Sequence, residues 1–128
     1  MKPVVFFLVF ASLSVACGMK NSELKVGGLY SISDEGGFRV AKVLALEEGA
    51  VHVRIYKNKF RSRPQTVDPS SLSLGSIDDE GGFGMGHLPL SRQSFMNSQP
   101  VFIQQSSVTE EELEGYKMWK EAGGGVWQ

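Results

Sequence analysis

Hydrophobic and polar residues alternate most cleanly from Val51 to Tyr56. Val51, Val53 and Ile55 take one parity; His52, Arg54 and Tyr56 take the other. A strand turns successive side chains to opposite faces, so this segment predicts one buried face and one wet face. Phe38 to Leu46 is an apolar-rich run ahead of it, and Glu47-Glu48-Gly49-Ala50 between them supplies a turn. Together they predict a β-hairpin running from Phe38 to Phe60, the organising element of the chain. Val26 to Ile32 predicts a preceding strand, joined to the hairpin by the turn Asp34-Glu35-Gly36-Gly37. Pro64 ends the strand character after Phe60 or confines it to an edge. Asp68-Pro69-Ser70-Ser71-Leu72 predicts a capped helical turn, with Asp68 as cap and Pro69 at the first helical position. Leu72 and Leu74 lead from it into another strand.

Leu29 to Phe38 recurs as Leu74 to Phe83 with eight of ten residues identical, which reads as a reused hairpin turn. Phe83 to Ser91 is the most unusual string in the chain. Gly84 and Gly86 there allow a sharp turn or a close backbone approach, and His87 follows them. Ser91 predicts a cap for a short helix from Arg92 to Met96, and Pro100 to Ile103 predicts a last strand. Thr109 and Glu112 form a capping box, and Val108 with Leu113 forms a hydrophobic staple. The helix they open runs to about Glu121, where Gly123-Gly124-Gly125 ends it.

The pattern as a whole predicts a mainly β, α+β protein. Val26-Gly27 with Leu29-Tyr30, Val40 to Leu44, Val51 to Ile55 and the Asp68-to-Leu72 turn resemble the SH3-like barrels of the Tudor and KOW type. The resemblance implies a barrel of about five strands over residues 26–75, with 76–128 as a β/helix extension on the same domain. Such barrels are general binding scaffolds, so the fold names no ligand.

The amino terminus changes the picture. Met1-Lys2 is basic, Pro3 to Val15 is apolar or small, and Ser14-Val15-Ala16 precedes Cys17. This predicts a secretory signal peptide over residues 1–16, too short for a membrane-spanning helix. Leu13-Ser14-Val15-Ala16-Cys17 resembles the lipobox of bacterial lipoprotein precursors. That resemblance implies cleavage before Cys17 and acylation of Cys17, with residues 17–25 as tether. The alternative is an ordinary signal peptide cleaved near Ala16. Several acyl chains hold a domain on a membrane without spanning it. Gly18 in place of an aspartate implies the periplasmic face of the outer membrane if the envelope is Gram-negative.

The chain holds one cysteine, so no internal disulfide supports the domain. Net charge is −1, which removes any global attraction to nucleic acid, and the export signal argues the same way. Charge is instead local. Arg54, Lys57, Lys59, Arg61 and Arg63 are five cations with no acid among them, interleaved by Tyr56 and Phe60. They read either as a solvated edge or as a basic-aromatic surface for an envelope protein or anionic polymer. His52 and His87 join Arg54, Tyr56 and the other cations as candidate partner-contacting residues.

Chemistry is sparse. Two histidines without ligand spacing predict no metal, and the paired acids at 34–35 and 78–80 lack a calcium-loop pattern. No phosphate loop or nucleophile elbow is present, so no cofactor and no catalytic residues are expected. The leading expectation is a non-enzymatic envelope lipoprotein that binds a partner. A second is a periplasmic immunity protein or inhibitor that inserts a loop at Gly84 to Pro89, with His87 at its tip, into a toxin or hydrolase. The third is a hydrolase using His87 with Asp78 or Asp79.

Overall fold

A computed structural model describes residues 24–80 and 82–127. The leader, Cys17 and most of the tether lie outside the described residues. Five strands form one antiparallel sheet: β1 (Gly28–Asp34), β2 (Gly37–Glu47), β3 (Ala50–Ile55), β4 (Met85–Ser91) and β5 (Val101–Gln105). Their spatial order is β4-β3-β2-β1-β5. Helix α1 (Arg92–Asn97) links β4 to β5, and α2 (Glu114–Glu121) follows β5. A short 3-10 turn at Pro69–Ser71 is capped by Asp68, whose Oδ1 accepts from the Ser70 N–H at 3.0 Å.

The expected meander is present. Leu29 faces Lys42 across β1 and β2, and Val43 faces Val53 across β2 and β3. The expected barrel is not formed. The sheet is open, with β4 and β5 on opposite edges. The reason lies in α1. Its Ser91 cap forms as the sequence predicts, the Ser94 N–H donating to Ser91 Oγ at 3.1 Å. Phe95 then packs into the core with Tyr30, Ile32, Ala41, Val43, Val51 and Val53. A helix laid across that face carries the chain past the meander, so β5 pairs with β1 rather than closing on β4.

The expected wet face of β3 is also corrected. His52 is 0% exposed and Tyr56 is buried. Leu29, Val40 and Tyr56 form a second core on that side, covered by Phe60, Val67, Leu72 and Leu74 from the long connection and by Ile103. A clean alternation therefore marks a strand here, but both parities are covered.

β3 does not run to Phe60. It ends at Ile55, and Phe60 meets Phe38 in an isolated bridge with two hydrogen bonds of 2.9 Å. Leu72 and Leu74 form no strand among the described residues; they pack against the second core instead. The repeated segment Leu74 to Phe83 likewise forms no hairpin among the described residues, and its Ile77 is exposed where the matching Ile32 is core. Gly84 to Pro89, expected as an inserting loop, is the entry and body of edge strand β4. Gly84 is needed there, because a Cβ would lie 2.1 Å from the Ile55 carbonyl oxygen. Gly86 has ordinary room. Pro89 is tolerated because an edge strand has spare positions for a residue without an N–H. The outer edge of β4 is met by Trp127, whose N–H donates to the Pro89 carbonyl at 2.8 Å and whose carbonyl accepts from the Ser91 N–H at 3.0 Å.

Candidate functional site

The predicted capping box forms: the Thr109 N–H donates to Glu112 Oε1 at 2.9 Å, and the Glu112 N–H to Thr109 Oγ1 at 3.2 Å. The regular helix begins slightly later, at Glu114, after a turn. Glu112 also reaches the sheet. It holds Lys42 Nζ at 2.9 Å and lies 3.7 Å from Arg54. Lys42 donates as well to the Ser107 carbonyl. Burial raises the Glu112 carboxyl, but the Thr109 N–H and the two cations outweigh it and hold it below its ordinary value. This knot fixes where the chain enters α2.

α2 then lies over β4. A Cβ on Gly115 would stand 2.7 Å from His87 Cβ. This contact is between a helix and a side-chain root that cannot swing away. Gly115→Ala is expected to push α2 outward and cost about 1–3 kcal/mol, typical of overpacking. Urea unfolding and Trp fluorescence read both effects.

Under α2 sit the two histidines. His52 on β3 stands opposite Pro89, so His87, two residues earlier on β4, shares its face diagonally. His52 Nδ1 lies 3.0 Å from His87 Nε2, and the rings are near-parallel with centroids 5.2 Å apart. Tyr116 and Trp119 meet the His52 ring edge-to-face at 4.7 Å and 4.3 Å. His52 Nε2 is buried without a hydrogen-bond partner among the described residues. Burial, then the His87 charge, pushes the His52 imidazole below its ordinary value, with Lys120 acting the same way and Glu47 opposing. Burial pushes His87 down also. Glu47, at the end of β2, accepts from the Tyr116 hydroxyl and from Lys120 Nζ, the latter at 2.9 Å. Those bonds hold the Glu47 carboxyl below its ordinary value. The sequence reading missed Glu47, Tyr116, Trp119 and Lys120 as neighbours of His52. The (i, i+3, i+4) spacing of Tyr116, Trp119 and Lys120 puts all three on one helix face, and this was the available signal.

The basic string is dispersed. Tyr56 is buried. Arg54 donates to the Gly86 carbonyl at 3.2 Å beside its Glu112 contact. Lys57 pairs with Asp79 at 2.9 Å. Arg63 donates to Ser31 Oγ at 2.8 Å and to the carbonyls of Ser31 and Gln99, and its guanidinium lies 4.7 Å from the Phe38 ring centre. Lys59 and Arg61 make no ion pair among the described residues. Both line a groove of about 210 Å³ with Asp34, Phe38, Arg39 and Phe60. Arg39 is anchored at its wall, donating to the Tyr56 carbonyl at 3.0 Å and pairing with Asp34 at 3.5 Å. His87 turns Nε2 to His52, and Asp79 turns its carboxylate to Lys57, so the expected pairing of His87 with that acid is not made.

Among the described residues, no three His, Cys, Asp or Glu side chains cluster as metal ligands. No family model, no curated protein and no solved structure matches this chain.

Proposed function

We propose that this protein is a non-catalytic binding module of the bacterial envelope. It is tethered through acylated Cys17, at the outer membrane where the envelope has one, and it grips a partner at the β1–β2 turn. The observation that carries this reading is the groove itself: Lys59 and Arg61 stand beside the Phe38 and Phe60 rings there. Aromatic surface next to cations without an ion-pair partner among the described residues suits recognition of an acidic protein segment or an anionic polymer. Asp34 and Arg39, which line the same groove, add polar groups that favour a ligand with a defined arrangement of charge. Arg63 serves this reading indirectly, by lying over the Phe38 ring, whereas Arg54 and Lys57 are engaged elsewhere, with Glu112 and Asp79.

Crosslinking the full chain in its own cells, followed by capture and mass spectrometry, tests this. Lys59→Glu with Arg61→Glu is expected to lower recovery of the partner at least about ten-fold, the equivalent of roughly 1.4 kcal/mol. Lys57→Ala serves as the charge control and is expected to leave capture intact. Equal recovery from the charge-reversed chain would sink the groove assignment. The amino-terminal peptide in the same sample reports the anchor: an unmodified Cys17 removes the tether from the proposal.

A further inference from the structure

We propose that α2 is a proton-operated latch: the neutral His52–His87 pair lets it close over β3 and β4, and protonation of the pair lifts it. The inference does not depend on the groove or on its partner.

Three observations carry it. First, α2 hides more than it buries of itself. No residue of Glu114–Glu121 is buried, yet His52 beneath it is 0% exposed. An element with so little buried surface opens locally at low cost while the sheet stays folded. Second, the contact beneath it tolerates only some protonation states. A neutral imidazole has one N–H and one bare nitrogen, so two neutral rings form a single hydrogen bond across the 3.0 Å between Nδ1 and Nε2. With both rings protonated, two donors and two positive charges face one another at that distance. Third, water cannot relieve a charge on the fully buried His52 while Tyr116 and Trp119 stand over it, although the half-buried His87 is partly wet already. Opening α2 hydrates His52 and completes the hydration of His87.

The charged surroundings set the direction. On α2, Lys120 repels a proton on His52; on β2, Glu47 attracts it; on β4, His87 repels it once charged. The Tyr116 hydroxyl donates to Glu47. Lys42 and Arg54, on the same sheet face, are held by Glu112. Both imidazoles titrate below their ordinary 6.5 in the closed state. The closed state therefore binds fewer protons than the open one. It is unaffected above that value and loses ground as pH falls below it, by up to about ten-fold in the opening equilibrium per pH unit for each proton. On the proposed export route, the domain lies outside the cytosol and meets the pH of its medium.

Amide exchange of the full chain, as isolated from the cells that make it, tests the latch between pH 7.5 and 5. After correction for intrinsic exchange, the amides of residues 116–120 are expected to lose protection by at least about ten-fold, while Val43 and Val53 keep theirs. The double variant His52→Leu, His87→Gln is expected to abolish the step. Glu47→Gln changes a partly exposed side chain and removes the attraction that favours the closed protonated state; it is expected to deepen the loss of protection at pH 5, with the onset still set by the open-state imidazoles. Protection of α2 that does not change with pH overturns the proposal. So does joint loss in α2 and the sheet, a step that persists in the double variant, or one that Glu47→Gln makes shallower.

Discussion

Glu112→Ala is expected to lower stability by about 3 kcal/mol, because breaking a largely buried ion pair strands the remaining charge. The side chains of Lys42 and Glu112 are 7% and 15% exposed, so water gives Lys42 little help once its partner is gone. The Ser107 carbonyl still accepts from its ammonium, which limits the loss. Glu112 also caps the turn into α2, so the same change frees the Thr109 N–H. Glu112→Gln keeps an acceptor for that N–H but not the charge, and a smaller loss is expected. Urea midpoints rank the three proteins. The pH dependence is separable from that of the histidines. The Glu112 carboxyl is held below its ordinary 4.5, so its contribution is present above that value and is lost as pH falls through the lowered one. A stability loss beginning as pH falls through the ordinary imidazole value of 6.5 belongs to the histidines; one confined below 4.5 belongs to carboxylates such as this.

Phe95→Ala is expected to be the most damaging single truncation, at about 3–5 kcal/mol. Phe95 is 1% exposed and meets the Tyr30 ring edge-to-face with centroids 6.0 Å apart. It is the buried residue of α1, a helix of six residues that cannot stand by its own hydrogen bonds. Its loss leaves a void over β1, β2 and β3 together. Phe95→Leu refills most of that volume and is expected to recover over half of the loss. Thermal unfolding of both variants decides it. Equal midpoints for Phe95→Ala and the parent would show that α1 does not hold the open sheet's inner face.

What was legible in the sequence was local. The β1–β2–β3 meander, the Asp68 and Ser91 caps and the capping box at Thr109 each rest on a few neighbouring residues, and each is found. What failed depended on distant chain. Nothing near His52 states that Tyr116 and Trp119 come to rest on it, so a period-two pattern was read as half wet. The barrel failed for the same reason: whether an edge strand closes on its counterpart depends on the path of α1 across the face. The string at Gly84 to Pro89 looked like a loop because of its glycines and Pro89, yet Gly84 is a close-packing position and Pro89 sits on an edge. The basic string was read as one surface. Once the chain leaves the ladder after Ile55, its cations point to different neighbours. Only the part around Phe60 remains together at a groove.

The placement of β4 and β5 on opposite rims sets an order of assembly. The three central strands pair through tight reversals and can zip up as soon as they are released, amino end first. Leu29 must then wait for Gln104, and Val53 for Leu88, before either side of the meander is covered. In that interval the nascent sheet carries two unpaired rims, β1 and β3, the form most prone to stick to another chain. On the export route proposed above, a holding factor acting during that delay, rather than any weakness of the finished fold, would govern how much of this protein reaches the folded state.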